Sequence, residues 1–149
     1  MDDLARVLAA HPFLAALDPE HVRFLVGCTK NVRFRAGDYL VREGEPEDTL
    51  YLIRQGGVAI EMRRAAGEVV CVETVGAGDV IGISLLAEAA AHLDCRARES
   101  VVALAIDSAC LLRKMAEEPR LGFTLAMRLL GRTYERLSRA RLQHLDIYR

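Results

Sequence analysis

The sequence has no apolar run long enough to span a bilayer, for which about 20 residues are needed. Its N-terminus carries Asp2 and Asp3 and lacks the basic and then apolar order of a secretion signal. We therefore expect a cytoplasmic protein without a membrane segment.

The chain also lacks a strong excess of either charge sign. Its formal net charge is −1, which excludes a global field that attracts nucleic acid. The charge is unevenly distributed, because seven arginines stand against Glu135 and Asp146 from Pro119 onward. The basic excess is thus confined to the C-terminal segment.

Motifs for metal, redox or catalytic chemistry are missing. The four cysteines include no CxxC pair, and Cys28, Cys95 and Cys110 lie among apolar residues, where we expect small core side chains. No phosphate-binding P-loop, Ser/His/Asp set or paired carboxylates stand out, so we predict that the protein is not an enzyme. His92, Cys95 and Met62 could ligate a haem iron, but their spacing gives no support.

What is present predicts a mainly β chain with flanking helices. The 149 residues are 52% hydrophobic, enough for a substantial core. A short helix is expected over Asp3–Ala10, and Asp18 with Pro19 is typical of a second helix start. Short strand-like segments with glycine turns then follow up to Ile81, which indicates an antiparallel sandwich or roll. Ser100 to Ile106 reads as a further strand.

The C-terminal part is predicted to be helical. Asp107 caps a helix to about Glu118, and Pro119 starts a long helix to about Leu145. Along it, apolar residues recur at four-three spacing, the pattern of a helix-pairing seam. We expect the first half of this seam to pack on its own domain and the second half to form a homodimer. The seam consists of Phe123, Met127, Leu130, Tyr134 and Leu137.

In this order, the elements resemble the cyclic nucleotide-binding domain of the bacterial catabolite-activator and fumarate-nitrate-regulator superfamily. The resemblance runs from about His11 to Leu145. It is carried by Phe34, Gly37, Asp38, Gly44, Asp48, Tyr51, Ile53, Gly57 and Val58, and by Gly76, Gly78, Asp79 and Gly82.

The resemblance implies an antiparallel β-roll (a double-stranded, jelly-roll-like β-helix) with N-terminal helices and a long C-terminal helix. Residues 1–118 would form the roll with its N-terminal helices and a short cassette helix. Residues 119–149 would form the dimerisation helix of the same structural domain.

In that family, a cassette holds the cyclic phosphate through backbone amides, a Glu that takes the ribose hydroxyl, and an Arg followed by Ser or Thr. Gly82 matches the glycine before the Glu, but Ile83 stands at the Glu position. Leu93 stands at the Arg position and Asp94 at the Ser/Thr position. The resemblance thus implies cAMP or cGMP as ligand, whereas the side chains lack the usual contacts.

Other cassette residues could still take part in binding. Ser84 is expected to cap a short helix over Leu85–Ala91, whose amides could receive an anion. Asp94, Arg96 and Arg98 share a strand face. We expect an Asp94–Arg96 pair, the alternative being a displaced phosphate clamp. Cys95 lies between Asp94 and Arg96 in the sequence.

Arg128, Arg132, Arg136 and Arg139 form a row along the last helix. They indicate either a solvated face, helped by Glu135 and Arg139 at helical spacing, or a site for an acidic partner or nucleic acid. In the family this helix also closes over the nucleotide base, and Arg136 and Leu137 lie near that level.

Two functions remain. The first is a stand-alone regulatory domain that senses a small ligand, such as a cyclic nucleotide, dimerises, and signals through its C-terminal helix to a partner. The second is a degenerate, ligand-free roll that acts as a protein-interaction scaffold, with Ile83 and Leu93 collapsed into the pocket. The family's transcription factors continue into a helix-turn-helix, and we expect no such DNA-binding module in this protein.

Overall fold

The computed structural model describes residues 3–83 and 90–147. Within these ranges the helices are α1 (Asp3–Ala10), α2 (Pro19–Val26), α3 (Ser108–Glu117) and α4 (Pro119–Ile147), with a 3₁₀ turn over Pro12–Leu14. The strands in the same ranges are β1 (Thr29–Phe34), β2 (Tyr39–Val41), β3 (Thr49–Gln55), β4 (Val58–Arg63), β5 (Val69–Val75), β6 (Val80–Ile81), β7 (Asp94–Ala97) and β8 (Val101–Asp107).

The strands form two four-stranded antiparallel sheets. One has the order β1-β8-β3-β6 and the other β2-β7-β4-β5. Neighbours in each sheet are mostly distant in sequence, as in a roll whose chain passes from one sheet to the other. The predicted β-roll with N-terminal helices and a long C-terminal helix is confirmed.

Two apolar clusters hold the architecture together. Because strand side chains alternate between faces, Leu50 and Leu52 of β3 pack toward the helices, whereas Ile53 faces the roll interior. Leu121, Leu125 and Leu129 of α4 complete the helix-side cluster. This cluster fixes the first half of α4 against the roll.

Two cysteines near the helix-side cluster are covalently joined. Cys28, just after α2, and Cys110, in α3, form a disulfide with a Cα–Cα distance of 5.6 Å. Both residues pack in or against the helix-side cluster, as predicted, but the bond between them was not predicted, since only the fold brings together residues 82 positions apart. Cys95 is a buried free thiol, as expected, and Cys71 is an exposed one.

The apolar seam of α4 differs from its prediction in the first half. Phe123 and Met127 are 68% and 51% exposed, so they do not pack on their own domain. Leu121, Leu125 and Leu129 perform that packing from another helix face. All five seam residues are exposed on α4.

No helix in the described ranges is long and apolar enough to cross a membrane.

Candidate functional site

A cavity of about 630 Å³ lies between α4 and the strands β4, β5 and β7. This size falls within the range of small-molecule pockets, about 300–1,000 Å³. The strands β4 and β5 contribute Ile60, Met62, Val72 and Glu73, Leu93 lies just before β7, and α4 contributes Thr133, Arg136, Leu137, Arg139, Ala140 and Gln143. We call this space the roll–helix cavity.

Leu93 forms part of the apolar wall of the cavity. It precedes β7, is half-buried, and packs against the roll-interior cluster. The position that would carry a phosphate-binding cation in the resembled family therefore presents a hydrocarbon side chain to the cavity. Its neighbours in the wall, Ile60, Met62 and Val72, are also apolar, and the carboxylate on this side, that of Glu73, is paired with Arg139.

Asp94 is directed into the protein. It is 5% exposed, its Oδ1 accepts the backbone N–H of Glu43 at 2.8 Å, and its Oδ2 lies 3.6 Å from Nε of Arg63. A buried carboxylate requires such partners. The expected Asp94–Arg96 pair is wrong, because Arg96 pairs instead with the buried Glu61 at 2.9 Å.

The alternative of a displaced phosphate clamp is not supported by these contacts. Arg96 is held by Glu61, and Arg98 donates to the hydroxyl of Thr74 at 3.2 Å. Neither arginine lines the roll–helix cavity. Both arginines therefore make their contacts within the sheet formed by β2, β7, β4 and β5.

Gly82 meets a backbone requirement at the start of the predicted cassette. Its φ is +100°, and a Cβ there would lie 2.3 Å from the carbonyl oxygen of Thr49. Only glycine fits both conditions. Ile83 then packs against the helix-side cluster and not into the roll–helix cavity. Leu93 packs against the roll-interior cluster, so the apolar residues at the family's Glu and Arg positions lie in different cores.

The predicted cassette helix falls mostly outside the described residues. Ser84 and Leu85 lie there, so their expected roles stay predictions. The helix does not extend to Ala91 as predicted, because Ala90 forms a bridge with Pro46 and the N–H of Ala91 donates to Glu45 at 3.0 Å.

The arginine row of α4 is neither a solvated face nor a free basic surface. Arg128 donates to the carbonyls of Phe13 and Ala15, each at 2.7 Å. Arg132 donates to the carbonyl of Gly78 and pairs with Asp79. Arg136 donates to the carbonyl of Val80, and Arg139 pairs with Glu73. Arg139 thus pairs with Glu73 and not with Glu135, and the row fastens α4 to the roll.

Cys95 lies in β7, within the roll-interior cluster, and does not line the cavity. Burial is the main cause that raises the pKa of its thiol to about 12, so it remains protonated near neutral pH. A thiolate ligand for iron is disfavoured there. His92 is exposed and does not line the cavity, whereas Met62 does. In the described part of the chain, no group of three or more His, Cys, Asp or Glu side chains could hold a metal ion.

A family model described as the cyclic nucleotide-binding domain matches residues 31–118. The chain belongs to this family. The family and the fold are those of regulatory, ligand-sensing domains.

Solved structures agree with this family. A cyclic nucleotide-binding domain from Methylobacillus flagellatus KT superposes with a TM-score of 0.82 over 96% of this chain and 81% of its own, at 23% identity, which supports the fold alone. The catabolite activator protein of Thermus thermophilus has a TM-score of 0.73 at 25% identity, over 92% of this chain and 62% of its own. The predicted likeness to catabolite-activator domains is confirmed.

A curated relative is much longer than this chain. The cGMP-dependent protein kinase egl-4 of Caenorhabditis briggsae is 33% identical over 92 residues, which are 62% of this chain and 11% of the kinase. The chain thus spans only a small part of the length of that relative.

The structure of this cyclic nucleotide-binding domain adds site residues that the sequence interpretation missed. They are Ile60, Val72 and Glu73 in the strands, and Thr133, Ala140 and Gln143 in α4. The two-residue period of β4 and the helical period of α4 were the available signals. Neither period specifies which strand face lies opposite α4, and that pairing defines the cavity.

Proposed function

We propose that this protein is a regulatory domain that senses a small ligand in the roll–helix cavity and signals through α4. The observation that carries the proposal is the cavity of about 630 Å³ whose one wall is α4 itself. A ligand there would touch the strands and the helix together. Binding would therefore change how firmly the second half of α4 is held against the roll.

The family makes cyclic nucleotides the first ligands to test. We expect cAMP and cGMP to bind weakly, because Leu93 supplies no cation and Asp94 is occupied by internal contacts. A charge-assisted hydrogen bond contributes about 1.5–3 kcal/mol. The change Leu93→Arg is accordingly expected to strengthen cAMP binding by roughly tenfold or more.

We expect α4 to transmit the ligand signal by pairing with α4 of a second copy in a homodimer. The exposed seam of Phe123, Met127, Leu130, Tyr134 and Leu137 suits pairing with a second copy, as in a coiled coil. Leu137 also lines the roll–helix cavity, so one residue contacts both the ligand space and the proposed interface.

The test is a thermal-shift and calorimetry screen of cyclic nucleotides and small apolar compounds, with a variant that fills the cavity. A true ligand raises the unfolding temperature with concentration, by mass action. Ala140→Trp, on the cavity wall, should abolish that rise. Ala116→Trp, at an exposed position of α3, should leave it unchanged and serves as the matched control.

A ligand-free scaffold is the second candidate function. It is favoured by Ile83 and Asp94, two cassette positions whose side chains contact the protein's own interior. A flat response to the whole screen in wild type, together with unchanged stability of Ala140→Trp, would refute the sensor proposal and support this one.

A further inference from the structure

Arg136 occupies an unusual place among the arginines of α4. It is half-buried, it lines the roll–helix cavity, and its guanidinium donates to the carbonyl oxygen of Val80. Burial, the main cause, lowers the pKa of this group. The side chain is thus a positive charge removed in part from water.

The neighbouring arginines have carboxylates in direct contact. Arg139 pairs with Glu73 at 2.7 Å and Arg132 with Asp79 at 3.5 Å. Within the described ranges, no carboxylate lies at ion-pair distance from Arg136. The charges of Glu73 and Asp79 act on Arg136 from farther away, but each carboxylate is already paired with another arginine, so the guanidinium of Arg136 can accept an anionic partner of its own.

The opposite wall is mostly hydrocarbon. Ile60, Met62, Val72 and Leu93 present apolar side chains across from α4, and the carboxylate of Glu73 on that side is paired with Arg139. Such a wall stabilises an apolar body by excluding water from it. It also lowers the local dielectric constant, so an ion pair formed at Arg136 is stronger than on an open surface.

We infer that the ligand of the roll–helix cavity is an amphipathic organic anion whose acid group pairs with Arg136 and whose apolar body lies against β4, β5 and β7. This inference rests on the proposed function. A carboxylate suits the two parallel donors of a guanidinium. A cyclic nucleotide fits less well, because its polar sugar and base would face the apolar wall.

The experiment measures octanoate and its neutral analogue octanamide by calorimetry on the full chain. Wild type should bind octanoate about 10–100-fold more tightly than octanamide, the effect of one charged hydrogen-bonded pair. Arg136→Gln should weaken octanoate by a similar factor and leave octanamide unchanged. Arg141→Gln, at an exposed position of α4 outside the cavity, should bind both as wild type does.

The outcomes separate this inference from the proposed function. Equal binding of octanoate and octanamide to wild type would keep the cavity as a ligand site and overturn the role of Arg136. Octanoate binding that survives Arg136→Gln, or cAMP binding tighter than octanoate, would also overturn the inference. No binding of either probe to wild type would refute it outright. If Arg136→Gln does not fold, Arg136→Lys retains the charge and should still prefer octanoate.

Discussion

His11 is a buried histidine that joins the N-terminal helices to the roll. It is 4% exposed, its Nε2 lies 2.8 Å from the carbonyl oxygen of Ile53, and its Nδ1 accepts the N–H of Phe13. Both contacts require the neutral ring with the proton on Nε2. Burial, with the nearby charges of Arg132 and Arg54, lowers its pKa, although the hydrogen bond to Ile53 and the charge of Asp79 act in the opposite direction.

This geometry predicts a loss of stability in mild acid. Because the folded pKa lies below the unfolded value of about 6.5, the unfolded state binds more protons in that range. The contribution is complete above pH 6.5 and decreases as the pH falls from there toward the folded pKa. Each unit of pKa depression corresponds to about 1.4 kcal/mol. Urea denaturation from about pH 8 to about pH 5 measures the slope.

The comparison variants isolate His11 from other groups that titrate. His11→Gln keeps polar contacts but does not titrate, so its stability should fall less steeply in acid than that of wild type. His21→Gln, at a half-buried position of α2, should retain the wild-type slope. Parallel slopes for wild type and His11→Gln would show that His11 does not couple folding to pH.

At the scale of elements, the first half of α4 is fastened to the turn over Pro12–Leu14. Arg128 reaches two carbonyls there, those of Phe13 and Ala15. We expect Arg128→Leu to destabilise the protein by about 1–3 kcal/mol, because a part-buried carbonyl, that of Phe13, and an exposed one, that of Ala15, lose a charged donor. Amide hydrogen exchange should increase along this part of α4 and in the N-terminal segment.

Arg141→Leu is the matched control, since Arg141 is exposed on the same helix. It should change the free energy of unfolding by less than about 0.5 kcal/mol. If both variants unfold at the same urea concentration, the hydrogen bonds of Arg128 do not contribute to the free energy of unfolding. The packing of Leu121, Leu125 and Leu129 alone then holds the helix.

Elements with local signals could be predicted from the sequence. The helix α1 has the predicted bounds, Asp18 caps α2 through the N–H of Glu20, and Pro119 begins α4. The strands β3 and β4 lie on the two sides of Gly56 and Gly57, as the turn pattern indicated. These features depend on neighbouring residues and backbone preferences, which the sequence contains directly.

Contacts between distant segments could not be predicted in this way. The disulfide joins residues 82 positions apart, and Arg128 bonds Phe13 across 115 positions. The partner of Asp94 is Arg63 and not the adjacent Arg96, because the roll brings the end of β4 beside β7. The alternation of apolar and polar residues along a strand predicts which face of the sheet a side chain occupies. Only the fold determines which residues lie opposite that face.

For the whole molecule, α4 contributes to three surfaces at once. Its Leu121, Leu125 and Leu129 lie in the helix-side core, its Arg136 and Ala140 line the cavity, and its seam is exposed. Since the cavity wall and the seam belong to one continuous helix, a shift of α4 upon ligand binding would move the proposed interface. This arrangement gives a small ligand a physical route to the oligomeric state.

The proposed dimer predicts a specific response to charge in the seam. Leu130→Glu places a carboxylate in an interface of apolar side chains and should give a monomer near 16.5 kDa by light scattering, whereas wild type should show twice that mass. Leu142→Glu is the matched control, because Leu142 is as exposed as Leu130, 62% against 61%, but lies outside the four-three pattern. It should remain dimeric. A wild-type protein that is monomeric at every concentration would refute pairing through α4, and loss of the dimer in both variants would place the interface elsewhere on the helix.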